Sequence, residues 1–219
     1  MFIFTKKFST ATEHQRIKDN LHEGDVLYDV FAGVGPFAIP AAKKHCTVFA
    51  NDLNPDSCLW LRRNVTLNKV QGVHVYNLDG REFVRTILKF DLLHRWNPAC
   101  AAVGNKIHVV MNLPATAIEF LDVFKGLISF KDLSECNVAP EYIILPIIHC
   151  YCFSKSSNAL TDARERTKSA LGVHNLEFCD IRMVRNVAPN KEMMCVSFVM
   201  PRSALLTNQA NTRLAPCHH

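Results

Sequence analysis

The stretch YDVFAGVGPFAIP, residues 28–40, places a glycine-rich turn directly behind a run that reads as a buried strand. Val26 to Phe31 is expected to be that strand, and Phe37 to Lys44 the helix that follows. Gly33 and Gly35 let the chain take positive φ and leave bare backbone against which a ligand can sit. A tight turn with no ligand would use the same glycines. The dinucleotide fingerprint asks for a third small residue, which Ala38 supplies loosely. Phe37 is bulky for the neighbourhood of a pyrophosphate, whereas a cofactor without phosphate needs no exposed helix amino end. Asp29 adds weight to a ligand, because an acid inside a buried strand is costly unless it meets a cation or a donor.

Outward from this turn, strands and helices alternate. TVFAN (47–51) is the next strand, with Asp52 just past its carboxyl end, and a helix begins at the cap Asn54 with Pro55 in its first turn. VHVYN (73–77) is a third strand leading to LDG, with REFVRTILKF as its helix. Lys106 to Leu113 is a fourth, stopped by Pro114, and ATAIEFLDVFKG is expected to be helical until Gly126. Glu141 to Phe153 is a fifth strand region, and NALTDARERTKSALG an amphipathic helix closed by Gly172. LEFCDIRMVRNVAP and KEMMCVSFVMP, joined by a tight link, then read as an antiparallel hairpin. Residues 94–105 and 131–140 are expected loops, and the chain from 203 a loose tail.

Repeated strand–helix–strand units predict a parallel sheet with helices on both faces, and ligands in such sheets bind beyond the carboxyl ends of the strands. A terminal hairpin added to this sheet marks the methyltransferases that use S-adenosylmethionine. The expected fold is therefore α/β, a Rossmann-like class I methyltransferase with a mostly parallel seven-stranded sheet and a C-terminal antiparallel hairpin.

The totals limit the alternatives. A chain of 219 residues buries a single core without a second domain. Its apolar runs, such as YIILPII (142–148), are far shorter than the roughly 20 residues of a membrane span, so a soluble protein is expected. A net charge of +5 favours a polyanionic partner only mildly. The nine cysteines include no CxxC pair and no zinc spacing, which predicts reduced intracellular thiols. Cys150 and Cys152, two apart in an apolar strand, are expected on one buried face. The opening MFIFTKKFST is too short in its apolar part for a secretory signal and has no arginine, though a mitochondrial presequence stays open.

The acids at strand ends carry the chemistry. Asp52, 19 residues after Gly33, can accept hydrogen bonds from ribose hydroxyls, which NAD and S-adenosylmethionine share. Asp79 ends the third strand, so acids at the ends of strands one, two and three could surround a cofactor carrying an amine, an adenine and a sulfonium. Each alone could equally cap a helix. Asn112, held before Leu113 and Pro114, can offer its amide to an amine or ring N–H of a flat substrate and set a nitrogen for in-line attack. A plain turn asparagine before proline is the competing explanation.

Together DVFAGVGPFAIPAAKK, ANDLNP, LNKV, NLDG, VVMNLPATAIEF and VRNVAPNKEM resemble the eukaryotic and archaeal tRNA guanine-37 N1-methyltransferases, from about Thr12 to Pro201. The resemblance implies S-adenosyl-L-methionine as cofactor and a tRNA with guanine at position 37 as partner. It implies that His14, Asp29, Asp52, Leu53, Asn54, Asp79 and Gly80 line the cofactor pocket beside Gly33 and Gly35. Asn112 would line the same cofactor pocket and hold the target base, and Glu13 would take its N1 proton, with no metal required. Glu13 has a second explanation, as the return arm of a capping box in TATE (10–13). The related wybutosine-pathway enzyme, which transfers an aminocarboxypropyl group from the same cofactor, shares the scaffold, and Pro36 resembles the methyltransferase branch more.

Relatives carry an arginine where this chain has Ser9, and amino-terminal tRNA-gripping domains, with an arginine for the guanine oxygen, that this sequence lacks. The expected division is a truncated amino-terminal segment over 1–20, the methyltransferase domain over 21–202 and a flexible tail over 203–219. Lys6, Lys7, Arg16, Arg164, Arg166, Lys168, Arg182, Arg185 and Lys191 are either a residual RNA track or ordinary solvated surface. A cofactor-binding fragment without useful catalysis and an NAD-dependent oxidoreductase remain as alternatives, the latter without an evident hydride-transfer constellation. The expected setting is a monomer in the cytoplasm, nucleus or mitochondrial matrix, away from membranes.

Overall fold

The computed structural model describes residues 13, 15–99 and 105–207. Seven strands form one sheet: β1 (Val26–Asp29), β2 (Thr47–Asn51), β3 (Val73–Tyr76), β4 (Ile107–Met111), β5 (Ile147–Ser154), β6 (Phe178–Ala188) and β7 (Lys191–Val199). Their order is β3-β2-β1-β4-β5-β7-β6. The first five run parallel, and β7 inserts antiparallel between β5 and β6. Every residue of β1 and β4 is buried, as central parallel strands covered on both faces require.

Helices cover each face. Residues 15–20 form α1, which buries Ile17 and, just beyond it, Leu21 against Leu27, Val48, Val110 and Tyr151. The same face receives α2 (Ala38–Ala42) and the inner side of α3 (Pro55–Leu67). On the other face, α4 (Gly80–Phe83) runs through a π-helical stretch, Val84–Leu88, into α5 (Lys89–Trp96). The 3₁₀ turns Glu119–Phe124 and Pro140–Tyr142, α6 (Phe130–Glu135), α7 (Ala159–Leu171) and α8 (Arg202–Leu205) complete the elements. No described helix is long and apolar enough to cross a membrane.

Local chemistry explains the boundaries. The Asn54 side chain accepts the Asp56 N–H to cap α3, and Asn158 accepts the Thr161 N–H to cap α7, which stops at Gly172 with φ +69°. Several segments depart from the sequence expectation. The helix after β3 runs to Trp96, inside the expected 94–105 loop, because Leu92, Leu93 and Trp96 continue the buried stripe and the Trp96 indole donates to the Ile144 carbonyl at 3.0 Å. The helix expected over 115–126 shortens to a 3₁₀ turn, in keeping with buried Ile118, Leu121 and Phe124 at every third position. Within the expected 131–140 loop lies most of α6, started by a capping box between Ser129 and Asp132. The fifth strand begins at Ile147 rather than Glu141, because Pro146 brings no N–H to the ladder.

The segment expected to be loose from 203 is docked as far as 207: Leu205 is buried and Leu206 bridges to Ile128. Cys150 and Cys152 sit together in the core on one face of β5, both as free thiols.

Candidate functional site

The parallel strands all end at one edge. Chain order reverses between β1 and β4, which lie side by side with Asp29 opposite Val110, and this is where an open α/β sheet leaves a crevice.

Asp29 ends β1 fully buried, and neither carboxylate oxygen has a hydrogen-bond partner among the described residues. Burial first, and the charge of Asp52 second, push its carboxyl up to about 8. The Phe31 N–H pulls the other way without reaching hydrogen-bond geometry. Gly33 follows with φ +54°, and a Cβ built there would meet nothing within 4 Å, so its bare backbone faces open space. Its N–H donates to Asp52 Oδ2 at 2.8 Å, while Asp52 Oδ1 accepts the Asn54 N–H at 2.9 Å. Asp52 thus joins the loops after β1 and β2. Gly35, at φ +95°, serves a different end: a Cβ there would sit 2.5 Å from Leu61 Cδ1, so it lets α3 approach the turn.

Leu53 stands 68% exposed beside Asp52, an apolar surface at the rim. Asn54 spends its side-chain oxygen on the α3 cap. Asp79 likewise caps α4, accepting the Arg81 N–H at 2.9 Å and the Glu82 N–H at 3.4 Å. Gly80 is bare because Phe31 and Phe120, packed edge to face, crowd it; a Cβ would lie 2.8 Å from Phe31 Cε1. Asn112 directly follows β4 with its Oδ1 buried and without a partner among the described residues, and the following Pro114 carbonyl is fixed by the Phe153 N–H at 2.9 Å.

Glu13 is buried and binds different partners. Its Oε1 accepts from Arg16 Nη2 at 2.6 Å, Arg16 Nε at 3.0 Å and the Tyr151 hydroxyl at 2.9 Å. His14 and the Thr10 end of the TATE box lie outside the described residues.

Asn51 was not legible as a site residue, yet it assembles the rim. Fully buried, it donates from Nδ2 to the carbonyls of Val30 (3.1 Å) and Leu78 (3.0 Å) and accepts the Leu78 N–H on Oδ1 at 2.9 Å. One side chain therefore ties the loops after β1 and β3. The available signal was a polar amide ending an apolar strand, a position that demands partners. Asn77 reinforces it by donating to the carbonyls of Asp52 and Leu53.

Most of the cations suspected of forming an RNA track are already engaged. Arg16 pairs with Glu13, Arg166 with Asp162 and the Phe153 carbonyl, Lys168 with Glu165, and Arg182 with Asp180. Arg164 stacks on Phe178 and Lys191 on Phe153. Arg185 differs, for its Nε is buried without a partner. Lys6 and Lys7 lie outside the described residues.

This strand order, with its reversed strand β7 and with acids and bare glycine backbone at the switch point, defines a Rossmann-like methyltransferase domain. Residues 3–132 match the family model of the TRM5/TYW2 methyltransferase domain. The chain belongs to that family. It is 53% identical over 201 residues to the tRNA (guanine(37)-N(1))-methyltransferase of Homo sapiens, covering 91% of this chain and 38% of the relative. The protein of the same name from Xenopus tropicalis is 52% identical over 203 residues, covering 92% and 40%. The crystal structure of Trm5b from Pyrococcus abyssi superposes with a TM-score of 0.62 at 30% identity, covering 87% of this chain and 48% of that one. The chain thus spans about two fifths of the length of these curated relatives.

Proposed function

We propose that this chain is the S-adenosylmethionine-dependent catalytic domain that methylates N1 of guanine-37 in tRNA. The observation that carries the reading is the pair of buried, unpartnered acceptors at the switch point, the Asp29 carboxyl and Asn112 Oδ1, beside the open backbone at Gly33. Buried acceptors without partners are costly, and a ligand that donates to them relieves the cost.

The residues fit the cofactor on these grounds. Asp29 would receive its ammonium group, Asp52 its ribose hydroxyls, and the backbone from Gly33 onward its body, with Leu53 as the apolar rim against the adenine. When bound, the cofactor supplies an electrophilic methyl group on a sulfonium. Asn112 Oδ1 accepts a hydrogen bond from the N–H edge of guanine and fixes the ring in the plane needed for attack. Glu13 accepts the N1 proton, so that N1 exchanges one proton for one methyl. Asp79 and Gly80 act less directly, by starting α4 and by close packing beneath the rim.

The test is methyl transfer to tRNA transcripts carrying guanine or adenine at position 37, with the chain alone and with the amino-terminal region of a full-length relative added. The expected product forms only with guanine and carries a methyl group by mass spectrometry. An aminocarboxypropyl group on the product would move the chain to the other branch of its family. No thermal stabilisation by S-adenosylmethionine or its demethylated product would remove the cofactor reading altogether.

A further inference from the structure

The proton acceptor is held by groups that no motif identified. Tyr151 lies on β5 directly across from Cys195 on β7, and its hydroxyl donates to Glu13 Oε1 at 2.9 Å. Arg16, one turn along α1, donates to the same oxygen through Nε and Nη2, and its Nη2 also reaches Cys195 Sγ at 3.3 Å. All these donors converge on Oε1, and no described group reaches Oε2. The Tyr151 ring is itself set by Phe37, 5.9 Å away between centroids, the residue that leads from the glycine turn into α2.

We propose that Tyr151 is a positioning residue for the reaction, fixing Glu13 through Oε1 so that Oε2 is the oxygen presented to the N1 proton. The proposal rests on the reading of Glu13 as proton acceptor given above. A carboxylate whose one oxygen is saturated by three fixed N–H and O–H donors cannot rotate freely, and its remaining lone pairs point in a fixed direction. Burial, with the charges of Cys195 and Glu13 after it, drives the Tyr151 hydroxyl well above its ordinary range. The hydroxyl therefore stays protonated and remains a donor at every pH at which the enzyme would work. Arg16 stays cationic, because its bond to Glu13 together with the charges of Cys195, Glu13 and Tyr151 outweighs its own burial. The competing account is that this cluster only fastens α1 to the sheet, and it makes a different kinetic prediction.

The experiment measures kcat, tRNA KM and cofactor affinity for Tyr151→Phe, Glu13→Gln and the double variant, using the chain under the conditions in which it turns over guanine-37 tRNA. Tyr151→Phe keeps the ring and its contact with Phe37 and removes one donor. It is expected to lower kcat roughly 10- to 100-fold, as a misaimed base does, with KM and cofactor affinity within about twofold. In the Glu13→Gln background the same change is expected to alter kcat by less than about twofold, because the two residues act as one unit. Losses that multiply, or a raised KM with unchanged kcat, overturn the role of Tyr151 while leaving Glu13 in place. Full kcat in Glu13→Gln overturns the reading of Glu13 itself, which is a separate outcome. If thermal denaturation shows Tyr151→Phe to be unfolded, Arg16→Lys decides: it keeps the charge but loses the two-pronged grip on Oε1. A kcat loss that vanishes in the Glu13→Gln background then supports a clamped carboxylate, and an additive loss overturns it.

Discussion

Replacing Asp29 by Asn should make the protein more stable and, at the same time, a poorer binder of its cofactor. The carboxyl is fully buried without partners, and its pKa stands at about 8 against 3.8 for a free side chain. Between those values the folded state holds a proton that the unfolded state releases, so stability is greatest below the lower value and falls as pH rises towards the upper one. At about pH 7 the interval above 3.8 is roughly three units, which corresponds to about 4 kcal/mol against folding. Asn carries no such penalty, since it is neutral in both states and fills the same volume. For a chain of this size, about 4 kcal/mol raises the melting temperature by on the order of 10 °C.

The assay is thermal or urea denaturation of both proteins from about pH 4.5 to 8. The gap between them should shrink to about 1 kcal/mol at the acid end. Cofactor binding runs the other way. If the ammonium group of the cofactor requires the ionised carboxylate, binding near pH 7 expels about nine tenths of a proton, visible by calorimetry in buffers of different ionisation enthalpy, and Asp29→Asn abolishes that release. A gap that does not change with pH, or an Asn variant less stable than the parent at neutral pH, would refute the argument from burial.

Acid should act through a second buried cluster on the same face of the sheet. His108 and His149 stack in the core with Nδ1 and Nε2 3.1 Å apart, and burial is the main cause that lowers both, His108 to about 4. Stability from this pair is complete above the ordinary histidine value of 6.5 and is lost as pH falls, by about 3 kcal/mol near pH 4 from His108 alone. Urea midpoints in the Asp29→Asn background isolate it, because the opposing slope of Asp29 is then gone. Gly35→Ala should cost more than about 1 kcal/mol, since φ +95° and Leu61 Cδ1 at 2.5 Å both exclude a methyl group; an unchanged denaturation midpoint would contradict this. Asn51→Leu removes three hydrogen bonds at the rim and strands the Leu78 N–H with the carbonyls of Val30 and Leu78. It should destabilise by about 3 kcal/mol and weaken cofactor binding beyond that of a surface control, as read by denaturation and equilibrium binding.

What could be read from the sequence follows from how local each signal was. The strand TVFAN, the Asn54–Pro55 helix start and the Asn158-to-Gly172 helix were legible because each is specified by neighbours in the chain. The Ser129–Asp132 capping box is equally local and was overlooked within a polar stretch. The extension of the helix to Trp96 depended on Ile144, 48 residues away, which supplies the carbonyl for its indole. The tail at 203–207 depended on a distant segment in the same way, through the bridge to Ile128. At the site, the acids were visible as residue types with helix capping as the alternative for each, but the bridge made by Asp52 was not visible. Asp79 proves to be a helix cap, Asp52 a bridge between two loops, and Asn51 the link that no motif announced.

The unsatisfied groups are distributed in a way that separates binding from architecture. Where polar groups hold the rim together, at Asn51, Asp52, Asn77 and Asp79, each has a hydrogen-bond partner in the next loop or in the first turn of a helix. The two at the switch point, Asp29 and Asn112, have none for the oxygens that face inward. If structure alone set these positions, a neutral residue at 29 and an apolar one at 112 would serve better, as the expected gain from Asp29→Asn makes concrete for the first. Retaining acceptors at a standing cost in stability is intelligible when a ligand completes them, and it locates the chemistry between β1 and β4. A stabilised Asp29→Asn variant that still bound the cofactor as tightly as the parent would break that connection, leaving Asn112 alone to mark the crevice.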